Sequence, residues 1–114
     1  MKKSKAELAS ELLKSHRAGI DKIDEQILKL LGKRFGIVRK VAKVKIKHDI
    51  PSYLGGRVEE VRENAVRNGK KYGIDAQFLR TLYTLIIYQS CATEDILKHE
   101  AGQKPKKKKA KKRA

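Results

Sequence analysis

IDKIDEQILKLLGKRFGIVRKVAKVK, residues 20–45, decides the fold. Ile20, Ile23, Ile27, Leu30, Leu31, Val38 and Val41 recur at helical spacing, so they form one face of a helix turned toward a core. Arg34 and Lys45 stand on that same face, and Arg17 stands one step before Ile20. Helix-forming residues extend on both sides, predicting one unbroken helix from Ala6 to about Lys47. Ser4 with Glu7 three residues later reads as its capping box, and Pro51 must end it near His48. Gly19, Gly32 and Gly36 weaken such a helix, and close packing against another helix is their expected use.

DIPSYLGG (49–56) reads as a loop, followed by a second helix over about 57–71 with Val58, Val61 and Ala65 on one face. Gly73 marks a helix end, and Asp75 caps a third helix that runs to about His99. Its expected stripe is Leu79, Leu82, Ile86, Ser90, Thr93 and Leu97. The first helix would be roughly 63 Å long at about 1.5 Å per residue. That far exceeds the ~13 Å radius of gyration of a domain of this size. Its apolar stripe therefore needs a second copy, and the expected fold is all-α: three helices per chain, one very long, in an intertwined homodimer. Residues 1–102 form the expected helical domain and 103–114 a disordered lysine-rich tail.

The net charge is +16, which would suggest nucleic acid if it were spread over the chain. Residues 104–113 hold eight of the 29 basic side chains, and the first five residues hold three more. The remaining chain carries about +5, with no recognisable nucleic-acid-binding motif or aromatic stacking platform. Non-specific polyanion binding is accordingly an expectation for the tail alone. Cys91 has no cysteine to pair with, and His16, His48 and His99 form no metal-ligand spacing. The N-terminal cations precede no apolar run, and LYTLIIY (82–88) is too short to span a bilayer. These features predict a cytoplasmic protein without membrane association, metal or cofactor.

Three cations on a core face have a plain explanation: long side chains can lie along a core while their heads reach water. The set is larger than that explanation needs, because the third helix adds Ser90 and, one turn later, Glu94. Polar groups projecting inward from several helices describe a binding cavity. Cations of this number, with a single carboxyl group, suit a small ligand bearing more than one carboxylate.

The order Arg17, Arg34, Lys45, a loop ending in Arg57, and then LYTLIIYQSCATED (82–95) resembles the all-helical, AroQ-type chorismate mutase family. IDKIDEQILKLLGKR (20–34) is especially typical, and the likeness covers roughly residues 10–98. The resemblance implies a cofactor-free Claisen rearrangement of chorismate to prephenate in two active sites shared across a dimer. It implies that Arg17 reaches in from the partner chain while Arg34 acts within its own, each holding a substrate carboxylate. Lys45 would contact the ether oxygen, Arg57 would support the carboxylate end, and Ser90 would meet the ring carboxylate. Glu94 stands where many relatives have a glutamine donor to the ether oxygen. Lys45, Glu94 and Arg34 are thus the expected catalytic residues.

Two positions depart from the family pattern. Leu54 and Val58 stand where relatives that act on chorismate usually place acids near the C4 hydroxyl. GRV (56–58), Cys91 and the Glu94–Asp95 pair look like the 4-amino-4-deoxychorismate mutase subgroup. That reaction is the first alternative; isochorismate pyruvate lyase and a non-enzymatic nucleic-acid-binding helical protein are further ones.

Overall fold

The computed structural model describes residues 2–103. It is all-helical over these residues, with four helices: α1 (Lys5–Leu12), α2 (Lys14–His48), α3 (Gly55–Lys70) and α4 (Ala76–Gln103). The chain divides into two compact units, one up to Gly36 and one from Ile37 on, and α2 contributes to both. The lysine-rich stretch 104–113, with the expectations attached to it, lies outside the described residues. No described helix is long and apolar enough to cross a membrane.

The helix count corrects the three helices expected. The predicted unbroken first helix is interrupted at Leu13, whose φ of −101° and ψ of 2° leave the helical well. Hydrogen bonds from Leu13 N to Ala9 O (2.9 Å) and Arg17 N to Leu13 O (2.8 Å) continue across the interruption. Neither proline nor glycine marks the position, so no breaker signal was there to read. The capping box is formed as expected: Glu7 N–H donates to Ser4 Oγ (3.1 Å), and Ser4 N–H donates to Glu7 Oε1 (2.8 Å). The bond from Ser4 N–H, helped by the Ser4 hydroxyl, holds the Glu7 carboxyl below its ordinary pKa.

In the first unit, Ile20, Ile23, Ile27 and Leu30 are all exposed, Leu30 by 63 %. Gly19 and Gly32 have open space where a Cβ would stand, so no described residue makes the close packing expected of them.

The core of the second unit lies where α3 packs on α4 and the end of α2 joins them. Ala42, Val58, Leu79 and Ile87 are its buried apolar residues. On α4 the most buried positions are Leu79, Ile87, Ser90 and Glu94, so the inner face is centred beside the predicted stripe. Their separations of eight, three and four residues suit one helix face, whereas Thr93 and Leu97 are only half-buried. Gly69 makes the α3–α4 approach possible: a Cβ there would stand 2.1 Å from Leu79 Cδ1.

Two helix ends set the loops. α2 stops in a Schellman arrangement, with Asp49 at φ 56° and Ile50 N–H donating to Lys45 O (2.9 Å). Pro51 then disfavours helix at Ile50. Gly73, at φ 71°, ends the α3 region in the same way, with Ile74 N–H bonded to Gly69 O (3.1 Å). Asp75 caps α4 as expected, accepting from Phe78 N–H at 2.8 Å.

Candidate active site

The second unit gathers Lys45 from α2, Ser52 from the loop and Glu94 from α4. Lys45 Nζ donates to Glu94 Oε1 at 2.8 Å and to the Ser52 carbonyl oxygen at 2.9 Å. The two side chains retain only 13 % and 6 % exposure, so this is a largely desolvated ion pair with a directed hydrogen bond. An ammonium carries three N–H donors. Glu94 and Ser52 engage two of Lys45's, and no other described residue takes the third. The contact joins positions 49 residues apart in sequence.

The loop is fixed by bonds from α2 and α4. Lys98 Nζ donates to Ile50 O at 2.5 Å, while Lys45 and Cys91 Sγ (3.7 Å) both donate to Ser52 O. Alternate carbonyls of the loop are thus tied to cations of α4 and α2. Burial pushes the Cys91 thiol pKa up, and the nearby Glu94 carboxylate adds to the rise; Lys45 opposes them. Cys91 is therefore a neutral donor at ordinary pH. Ser52 is itself buried, and its side-chain oxygen has no hydrogen-bond partner among the described residues.

Ser90 sits on α4 one turn before Glu94, is buried, and donates from Oγ to Ile86 O at 2.9 Å. Leu54, in extended conformation, precedes α3 as its N-cap and offers no side-chain cap bond. Val58 is buried in the first turn of α3. Arg57 is 66 % exposed and pairs with Glu60 Oε1 at 2.9 Å. The structure thus brings Lys45 and Glu94 into contact and sets Leu54, Arg57, Val58 and Ser90 in the same unit. Arg17, exposed, and Arg34, half-buried, belong to the unit ending at Gly36. Sequence reasoning missed Ser52 and Lys98. A loop serine and a lysine near a helix end have no periodicity to reveal them.

With this geometry in hand, comparisons with known proteins are specific. A family model described as chorismate mutase type II matches residues 16–95. A 4-amino-4-deoxychorismate mutase of Streptomyces pristinaespiralis is 36 % identical over 87 residues, covering 76 % of this chain and 67 % of that protein. A second protein of that name, from Streptomyces venezuelae, is 33 % identical over 81 residues, covering 71 % of this chain and 79 % of the relative. A bifunctional chorismate mutase/prephenate dehydratase of Buchnera aphidicola is 33 % identical over 86 residues, 75 % of this chain but 22 % of that longer protein.

Proposed function

Since the chain belongs to the type II chorismate mutase family, a family of isomerases, we propose that it catalyses the Claisen rearrangement of 4-amino-4-deoxychorismate to 4-amino-4-deoxyprephenate. The observation that carries the choice is the pair Leu54 and Val58: neither side chain can accept a hydrogen bond, so neither supplies the carboxylate that a C4 hydroxyl usually meets in the family. The two Streptomyces relatives bear the name of the amino-substrate reaction, which supports the same choice. Chorismate itself is the second reading, favoured by the bifunctional relative, and differs only in the group on C4.

The rearrangement breaks the ether C–O bond and forms a C–C bond within one molecule, so no nucleophile or proton carrier is required. The protein must hold a flexible dicarboxylate in a chair that brings the bond-forming carbons together. It must also stabilise negative charge growing on the ether oxygen. Arg34 and the partner chain's copy of Arg17 pin the two carboxylates by forked hydrogen bonds. Arg57 supports the same end and Ser90 meets the ring carboxylate. Lys45 directs its third N–H to the ether oxygen; the bonds to Ser52 O and Glu94 hold its ammonium in place beforehand. Glu94 meets that oxygen from the other side, donating to it only when its carboxyl group carries a proton.

The site needs a homodimer, and the exposed stripe of Ile20, Ile23, Ile27 and Leu30 supports one. A lone copy would leave these large apolar side chains in water, and a second copy of the same helix covers them. The tail at 104–113 adds salt-sensitive, non-specific polyanion binding. The lone Cys91 suits a reducing cytoplasm. Competition tests the specificity: with both substrates at equal concentration, the amino compound should be consumed first. Equal or faster consumption of chorismate would return the assignment to the second reading.

A further inference from the structure

Ser52 has a hydroxyl that no described residue uses. The residue is 9 % exposed, its Oγ is fully buried, and no described residue bonds to it. A buried hydroxyl without a partner is costly, and native proteins rarely leave one so. Its place is well defined, because the Ser52 carbonyl is held by Lys45 Nζ at 2.9 Å and by Cys91 Sγ at 3.7 Å. Four covalent bonds separate that carbonyl oxygen from Oγ, which limits their separation to about 5 Å. Oγ therefore stands within about 8 Å of the ammonium assigned to the ether oxygen.

Substrate chemistry supplies the matching group. The ether oxygen and the C4 substituent are on neighbouring ring carbons, so a ring whose ether oxygen meets Lys45 carries its C4 group about 3 Å from that oxygen. The side chains of Leu54, two residues along the same loop, and Val58 offer that group no polar partner. We infer that Ser52 determines specificity at C4, its hydroxyl accepting a hydrogen bond from the amino or hydroxyl group there. A neutral hydroxyl suits a C4 amine or alcohol alike, and it discriminates against a substrate with only hydrogen at C4. This inference rests on the mutase reading above, and it assigns Ser52 a contact with substrate rather than a structural bond.

The test compares Ser52→Ala with the wild type on 4-amino-4-deoxychorismate and on the analogue bearing hydrogen at C4. Loss of one hydrogen bond should lower kcat/KM for the amino substrate about 10-fold, while the C4-deoxy analogue stays within about 2-fold. The unliganded variant should melt no lower than the wild type, because the deleted oxygen has no partner to lose among the described residues. Equal losses on both substrates, no loss on either, or a lowered melting temperature with uniform loss would overturn the assignment. Should the alanine variant not fold, Ser52→Cys, with a weaker hydrogen-bonding group of similar shape, is read by the same comparison. Wild-type protein inactive on both the amino substrate and chorismate would sink the mutase reading itself. Active wild type with a uniform loss sinks the Ser52 inference alone.

Discussion

Glu94→Gln separates two roles that the geometry allows for the same carboxyl group. Glu94 accepts from Lys45 Nζ at 2.8 Å and is almost fully buried. It can donate to the ether oxygen only when protonated; as a carboxylate it faces the negative charge that develops there. Half a charge at ~4 Å with an effective dielectric constant near 20 is unfavourable by about 2 kcal/mol, or roughly 30-fold in rate. Loss of the donor itself contributes a further factor, since one preorganised donor typically governs ~10²–10³ in kcat. A charged carboxylate at this position should therefore lower kcat by at least about 30-fold relative to a neutral donor. Gln is a neutral donor at every pH, so the variant should turn over at least about 30-fold faster than a wild type that holds Glu94 as the charged partner of Lys45. The variant still offers Lys45 an oxygen but loses the ion pair, a weakening of about 1–2 kcal/mol. That lowers the melting temperature by several degrees, so profiles belong well below it. The assay is a pH–rate profile of both proteins with saturation checked at each pH. A Gln variant no faster than the wild type at any pH would refute the donor role and leave Glu94 as the partner that holds Lys45.

Three further perturbations test other parts of the account. Lys45→Ala should lower kcat by ~10²–10³ with a much smaller change in KM, because its charge meets the ether oxygen most strongly in the transition state; steady-state kinetics within a few-fold of wild type would remove it from the site. Mixing Arg17→Ala with Arg34→Ala chains should restore activity approaching about one quarter of wild type, since random re-pairing makes half the dimers mixed and each mixed dimer has one intact site; proven chain exchange without recovery would count against sharing. Gly69→Ala should destabilise the α3–α4 packing by about 1–3 kcal/mol, because the new Cβ would press on the buried Leu79 side chain; denaturant unfolding with an unshifted midpoint would contradict that contact.

The features legible in the sequence were those that repeat or carry local chemistry. The α2 periodicity, the Ser4–Glu7 box, the Asp75 cap and the Gly73 turn all rest on residues within a few positions of one another. The break at Leu13 follows no local preference and could not be read. On α4, Ile86 and Ile87 are both apolar, so pattern alone could not say which turns inward; packing buries Ile87 more deeply. The Lys45–Glu94 contact spans 49 residues; helical spacing put both on inward faces of one cavity, but no local pattern could give their direct pairing. Ser52 was invisible because its importance comes from burial and an unused hydroxyl. Gly69 was equally silent until the distance to Leu79 gave it a reason.

The most direct measurement is product identification by NMR and mass spectrometry after incubating the full chain with 4-amino-4-deoxychorismate, without added metal or cofactor. The account predicts conversion to a rearranged product of unchanged mass, with a new C–C bond in place of the ether linkage, far faster than the uncatalysed reaction. Release of pyruvate, or a rate no greater than that of the substrate alone, would contradict it.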